Sequence, residues 1–220
     1  MIEMGVLFGN IHSFHDLNLI LSAVEITPAT PKTNYIEIPG ADGSVDLTEV
    51  HGEVKYYDRT LRFTFTMNPS GDLSEAAWEE KRTEVSNYLN GFACYITLDK
   101  DPTYCWNGRC VVDSYLSNKR LRQFVISATV RPYKMKRDET VVSFALSDKE
   151  KTVVIRNGKK TVYPVIDCTE SNTIITHGNS TFSFPAGSHN TTDIKFVYGD
   201  NELRLSGSGT VTFRFLEGDL

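Results

Sequence analysis

Apolar and polar residues alternate with a period of two along most of this chain, and the pattern departs to a helical period once. That departure is residues 72–92, where Trp78, Val85, Leu89 and Phe92 share one face at 3.6 residues per turn. Glu75, Glu79, Glu80, Arg82, Glu84 and Asn87 fall mostly elsewhere, as solvated positions do. Asp72 is the expected N-cap, with Glu75 three residues on and Ser74 as the rival cap. Asn90-Gly91 is the expected stop, because glycine accepts the left-handed conformation past a helix end and lets Phe92 fold back. An amphipathic helix needs an apolar bed. The strand predicted at 60–67 offers one, with Leu61, Phe63, Phe65 and Met67 on one side and Thr60, Arg62, Thr64 and Thr66 on the other.

The remaining N-terminal strands are predicted at 17–26, 35–38, 93–98, 104–106, 109–116 and 121–131. Thr27-Pro28-Ala29-Thr30-Pro31 breaks the pattern, and Pro39-Gly40-Ala41-Asp42-Gly43 is a turn signal. This half reads as a β-barrel or sandwich with one helix across it. Residues 132–139, charged and opened by Pro132, read as a linker. We therefore expect domains at 1–136 and 137–220. Beyond the linker, strands are predicted at 140–145, 151–156, 160–167, 173–176, 181–184, 193–198, 202–205 and 210–215, the spacing of a jelly-roll sandwich. Asn157-Gly158 is the strongest two-residue hairpin signal. His177-Gly178-Asn179, Gly199-Asp200-Asn201 and Gly207-Ser208-Gly209 read as further turns.

Length and charge narrow the function. A chain of 220 residues can bury roughly 70% of its unfolded surface, so it needs no staples. The four cysteines, Cys94, Cys105, Cys110 and Cys168, are too sparse for a disulfide framework. With no charged-then-apolar leader pattern, we expect reduced, buried thiols in a protein made in the cytosol. No apolar run reaches the length of a membrane helix, so no membrane partner is expected. The net charge of −5 disfavours a broad phosphate-binding surface. Lys119-Arg120-Leu121-Arg122 is better explained as a solvated hairpin turn.

Few residues are spaced for chemistry. His12 and His15 have a metal-like spacing without a third ligand nearby, and read as a polar loop. Cys105 and Cys110 lack the tight pairing of a metal site. Asp99 and Asp101 read as a capped turn before Pro102, since the glycine and closing glutamate of a calcium loop are missing. Neither a nucleophile elbow nor a zincin or phosphate-loop motif is present. We therefore expect no catalytic residue, no metal and no cofactor. Phe144, Tyr163, Phe182, Phe184, Phe196, Tyr198, Phe213 and Phe215 leave an alternative, a carbohydrate-binding adhesion sandwich, if enough of them face outward.

Taken in order, these features resemble the distal tail (Dit) proteins of long-tailed, non-contractile phages and related prophages. The segment from Ile36 through Pro39, Gly40, Asp42, Gly43 and Asp46 is similar to that family's I-x-V-P-G-x-D-G-x-x-D stretch. Tyr56 to Leu61 resembles its tyrosine-to-arginine run, and Trp78 with Leu89-Asn90-Gly91 its single helix. Asp99, Asp101, Tyr104 and Gly108-Arg109 fit its D-x-D-x-x-Y-x-x-G-R run, and Pro132-Tyr133-Lys134 its domain end. The resemblance implies a mainly β protein: a tail-tube-like domain with one helix, then a galectin-like jelly-roll sandwich. It implies a structural hub at the virion tail tip, made in the host bacterial cytoplasm. The N-terminal domains would form a hexameric ring that leaves a channel for DNA, without gripping its phosphates. The implied partners are further copies of the chain, the tail-tube protein, a tail-associated lysin or fibre hub, and a receptor-binding protein. Pro39, Gly40, Asp42, Gly43 and Asp46 are the candidate ring-interface loop; Trp78, Val85, Leu89 and Phe92 are the expected helix core. Short connections throughout imply that the insertion arm carried by some members is absent here.

Overall fold

The computed structural model describes residues 5–50, 52–118 and 121–220. The chain divides into two compact units, Met1–Lys134 and Met135–Leu220. The first contains β1 (Val6–Phe8), β2 (Ile11–His12), β3 (Leu19–Ile26), β4 (Tyr35–Glu37), β5 (Ser44–Asp46), β6 (Arg59–Met67), α1 (Glu75–Leu89), β7 (Ala93–Leu98), β8 (Tyr104–Ser117) and β9 (Arg122–Val130). Its main sheet runs β2-β1-β7-β8-β9-β6-β3, with every neighbouring pair antiparallel. The alternation in β6 works as its sequence suggests: Leu61, Phe63, Phe65 and Met67 are buried, and so are Ala128, Ile126 and Phe124 of β9 opposite the first three.

Helix α1 lies on that apolar face through Trp78, Val85 and Leu89. The Trp78 ring packs 4.8 Å from Phe124 and edge-on to Tyr115. The helix is shorter at both ends than its sequence span. Ser74 is the cap, its Oγ accepting the Ala77 N–H at 3.2 Å. Asp72 sits two residues outside and accepts the Ser74 N–H and hydroxyl instead, bonds that hold its carboxyl below the ordinary value of 3.8. At the far end Gly91 takes φ 85°. Phe92 lies beyond the helix, half-buried, with its ring 5.0 Å from Tyr88.

Two N-terminal expectations are corrected. The strands predicted at 104–106 and 109–116 are one strand, β8, because Asn107-Gly108 is a ladder segment and not a turn. Glycine is needed there for close approach: a Cβ on Gly108 would lie 2.3 Å from the Thr129 carbonyl oxygen and 2.5 Å from Val130 Cγ1. Gly108→Ala is expected to destabilise the first unit by about 1–3 kcal/mol, the scale of overpacking; urea denaturation measures it. The second correction concerns Arg122. It is not a solvated turn residue: it begins β9, lies 5.6 Å over the Trp78 ring and pairs with Glu75 at 3.0 Å. Lys119 and Arg120, the other cations of that cluster, lie outside the described residues.

At the junction of the units, β10 (Lys134–Lys136) replaces the expected linker with strand. The second unit continues with β11 (Thr140–Ala145), β12 (Lys151–Asn157), β13 (Val165–Cys168), β14 (Thr173–His177), β15 (Ser180–Phe184), β16 (Gly187–Asn190), β17 (Gly199–Ser206), β18 (Thr210–Phe215) and β19 (Gly218–Asp219). Lys136 is fixed by its N–H to the Glu217 carbonyl (2.9 Å) and its Nζ to the Glu217 carboxylate (2.5 Å). Two four-stranded antiparallel sheets, β11-β18-β13-β16 and β12-β17-β14-β15, enclose one core that includes Ile155, Ile166, Ile175, Phe196, Leu203 and Phe213.

Here the turn chemistry misleads. Asn157-Gly158 makes no hairpin: β12 pairs with β17, and neither residue has positive φ. The Asn157 side chain is buried and donates to the Lys160 and Phe196 carbonyls at 2.9 and 3.0 Å. Gly158 is required for approach to the Gly218 carbonyl, 2.8 Å from where a Cβ would sit. Residues 193–198 are not a strand beyond one bridge, Val162↔Phe196, because Asn157 and Asn201 side chains serve their backbone groups. The strand predicted at 160–167 shrinks to β13, Gly199-Asp200-Asn201 opens β17, and β16 is an addition. His177↔Ser180 does close a tight hairpin, with Gly178 at φ 59°.

One ion pair gives this unit a pH signature. Arg214 Nε donates to Asp167 Oδ2 at 2.6 Å, and that bond holds the Asp167 carboxyl below its ordinary 3.8. A depressed carboxylate stabilises the fold above its unfolded pKa and loses that contribution as pH falls through the folded value. Because the pair is partly exposed, the effect is small. Asp167→Asn is expected to flatten the acid limb of the second unit's stability below pH 3.8, as read by thermal melts across pH.

Candidate assembly surface

Strands β3 and β6 are neighbours in the sheet, yet the described residues 27–50 and 52–58 leave it between them. The excursion begins as a ribbon. Thr27 N–H donates to Thr60, Lys32 N–H to Lys55, and Tyr57 N–H to Thr30, around a Pro31↔Tyr56 bridge. It continues through Leu47 N–H to Asn34 and Asn34 N–H to Thr48 Oγ1 into the β4–β5 hairpin. The register pairs Tyr35 with Asp46, Ile36 with Val45 and Glu37 with Ser44, so Ile36 and Val45 share a face. The expectation of short connections fails here: the chain builds a projecting arm.

The arm is apolar and uncovered. Tyr35, Ile36, Ile38 and Val45 are 57, 48, 50 and 44% exposed. Two-stranded ribbons are marginal in water without a packed face, and contiguous exposed apolar residues mark interaction surfaces. Pro39, Gly40, Asp42 and Gly43 form the tip and are all exposed, as is Asp46. Gly40 and Gly43 hold φ 85° and 75°, which a side chain would strain. Asp46 is used locally: the Thr48 hydroxyl and N–H hold its carboxyl below 3.8. Asp42 makes no hydrogen bond or ion pair with any described residue.

At the end of the same sheet, β3 presents its outer edge. A bulge between Leu21 and Ala23 interrupts its register with β6, a device that discourages indiscriminate edge pairing. Beside the bulge is a cleft of about 220 Å³ lined by Gly5, Leu21, Ser22, Ala23, Val24, Leu98 and Lys100. Arm and cleft are different surfaces of one chain, the requirement for a head-to-tail contact.

The residues singled out for chemistry are placed otherwise. His12 Nε2 lies 3.0 Å from the Asp99 carboxylate, and its Nδ1 accepts the Phe14 and His15 N–H groups at 3.2 Å. Asp99 also accepts the Gly5 N–H at 2.6 Å, so it fastens the N-terminal segment and does not merely cap the turn before Pro102. Asp101 accepts from Lys134 Nζ at 2.7 Å. All four cysteines are buried and none is in a disulfide; Cys94 and Cys110 approach to 4.0 Å between sulfurs, with Cys105 buried elsewhere in β8. Of the eight C-terminal aromatics, Phe184, Phe196, Phe213 and Phe215 are buried and Phe144 and Phe182 half-buried. Only Tyr163 and Tyr198 of that set are exposed, which is no row for stacking sugars. Sequence inspection named the tip loop but not the apolar flanks of the arm. The usable signal was Ile36, Ile38 and Val45, apolar residues held between proline- and glycine-rich breaks.

No protein-family model matches the sequence, and no curated protein does. Among solved structures, the chain is similar to the Dit protein of phage SPP1, described as a paradigm of the hub adsorption apparatus in phages infecting Gram-positive bacteria. The TM-score is 0.71 at 13% identity, over 97% of this chain and 98% of that one. This chain therefore has a Dit-like fold.

Proposed function

We propose that this protein is a structural hub of a phage tail tip. Its first unit assembles with other copies into a closed hexameric ring that continues the tail tube. Its second unit, a galectin-like sandwich, is the peripheral domain. The ring leaves a channel through which DNA passes, and its faces receive the tail-tube protein and a tail-associated lysin or receptor-binding apparatus. The observation that carries this reading is likeness to a hub protein over essentially the whole of both chains. The exposed apolar arm adds independent support, since a surface of that composition favours a partner. In this assembly the arm of one copy seats against the bulged β3 edge and cleft of the next. The net charge of −5 suits a wall that must not hold phosphates.

The test is electron microscopy of the purified protein, alone and with its tail-tube protein, alongside light scattering. Rings with a central hole are expected in at least one condition. A protein that stays monomeric with its tail-tube partner at assembly concentrations overturns the proposal.

A further inference from the structure

At one end of the core face of the main sheet, two buried donors have no acceptor among the described residues. Arg59 opens β6 and is 7% exposed; Trp106, in β8, is 3% exposed. Arg59 Nε and Trp106 Nε1 are both buried and have no hydrogen-bond partner among the described residues. The sheet brings them together. Arg59 lies opposite Val130, and Val130 opposite Gly108, two residues beyond Trp106. The guanidinium carbon stands 5.9 Å from the centre of the Trp106 ring. No described residue supplies the Arg59 side chain with a carboxylate or a hydrogen bond.

Folded proteins rarely leave buried donors unserved, and a cation costs far more than a neutral group. Burial pulls the Arg59 pKa downward, the direction expected of a charge without a counter-ion. Arginine nonetheless keeps its proton, and indole N–H only donates. A single water could accept from both, but it would leave the charge uncompensated. The complement of a planar cationic fork beside a second donor is a planar anion that only accepts.

We propose that Arg59 and Trp106 form a binding site for a carboxylate. The group is either a small free carboxylate or an acidic side chain of a neighbouring copy. The site stands on these two residues and does not depend on the hub reading.

The test uses the full chain, labelled with ¹⁵N, in a carboxylate-free buffer. The sequence holds two tryptophans, so Trp78 serves as the internal control for the Trp106 indole signal. Sodium formate is titrated against sodium chloride of equal ionic strength. A saturable shift of the Trp106 signal alone, abolished by Arg59→Gln, supports a site for a free carboxylate. A shift driven by protein concentration without formate, again requiring Arg59, assigns the carboxylate to a second copy. Arg59→Lys keeps the charge but not the fork, and is expected to weaken either response several-fold. Arg59→Met is expected to raise the melting temperature of the isolated chain, since it removes a partly buried charge whose Nε has no acceptor among the described residues. A Trp106 signal that responds to neither formate nor concentration, or that responds equally in Arg59→Gln, overturns the proposal. If Arg59→Gln does not fold, the Arg59→Lys titration decides: a response equal to wild type overturns it.

Discussion

Trp78→Ala lowers the unfolding free energy of the first unit by about 3–5 kcal/mol, the usual range for deleting a buried tryptophan. The indole is 3% exposed and lies between the Phe124 ring, the edge of Tyr115 and the Arg122 guanidinium. Burying ~200 Å² of aromatic surface at about 25 cal/mol/Å² is worth at most ~5 kcal/mol. Helix α1 has few other anchors of that size; Val85 and Leu89 are its remaining fully buried side chains. Arg122 would also lose the ring that shields it, leaving its buried Nη1, which has no partner among the described residues, poorly covered. Urea denaturation followed by Trp106 fluorescence reads the loss. A variant of wild-type stability that failed to assemble would make the face of Trp78 an interface and remove it from the core.

The second large effect is on association. Ile36→Asp combined with Val45→Asp places two charges on one face of the arm, where the register makes them cross-strand neighbours. Both residues are exposed, so the folded monomer should change by no more than about 0.5 kcal/mol per substitution. If the arm is the contact between copies, losing two apolar anchors and burying charge costs about 2 kcal/mol or more, roughly thirtyfold in Kd. Sedimentation velocity separates these outcomes from a thermal melt on the same sample. Association at wild-type strength would exclude the arm as the interface, and a collapsed melting temperature would mean that the arm packs on its own unit.

How far the structure was legible follows from where each signal resides. In β6 the pattern and the burial agree residue by residue, because a strand with one core face must place Leu61, Phe63, Phe65 and Met67 together. The ends of α1 were readable to within a few residues, since Ser74, Asp72 and Gly91 act on neighbours in sequence. The errors lie where a residue serves a distant segment. Asn157-Gly158 has turn chemistry, yet Asn157 is spent on Phe196 and Gly158 on Gly218. Gly108 has the same ambiguity: glycine marks a turn and a tight ladder contact alike, and Thr129 decides between them. Of the candidate interface, the tip from Pro39 to Asp46 was visible as turn residues. Its standing as an exposed arm was not, because exposure depends on what fails to pack against it. Arg59 and Trp106 were unreadable for the converse reason, since only the fold buries them together.

The pairing of β1 with β7 fixes an order of events during synthesis. Val6 meets Leu98, and the Gly5 N–H and His12 meet Asp99, so the segment at residues 5–12 waits for more than eighty residues to leave the ribosome before it finds its partners. Until then β3 and β6 can pair, with the apolar arm already looped out between them. Sheets closed by such distant contacts form slowly, and unpaired strands are exposed to association in the interval. The nascent chain therefore exposes its apolar arm before its first unit is closed. The bulge in β3 interrupts a regular edge there, a feature of the kind that discourages premature strand pairing.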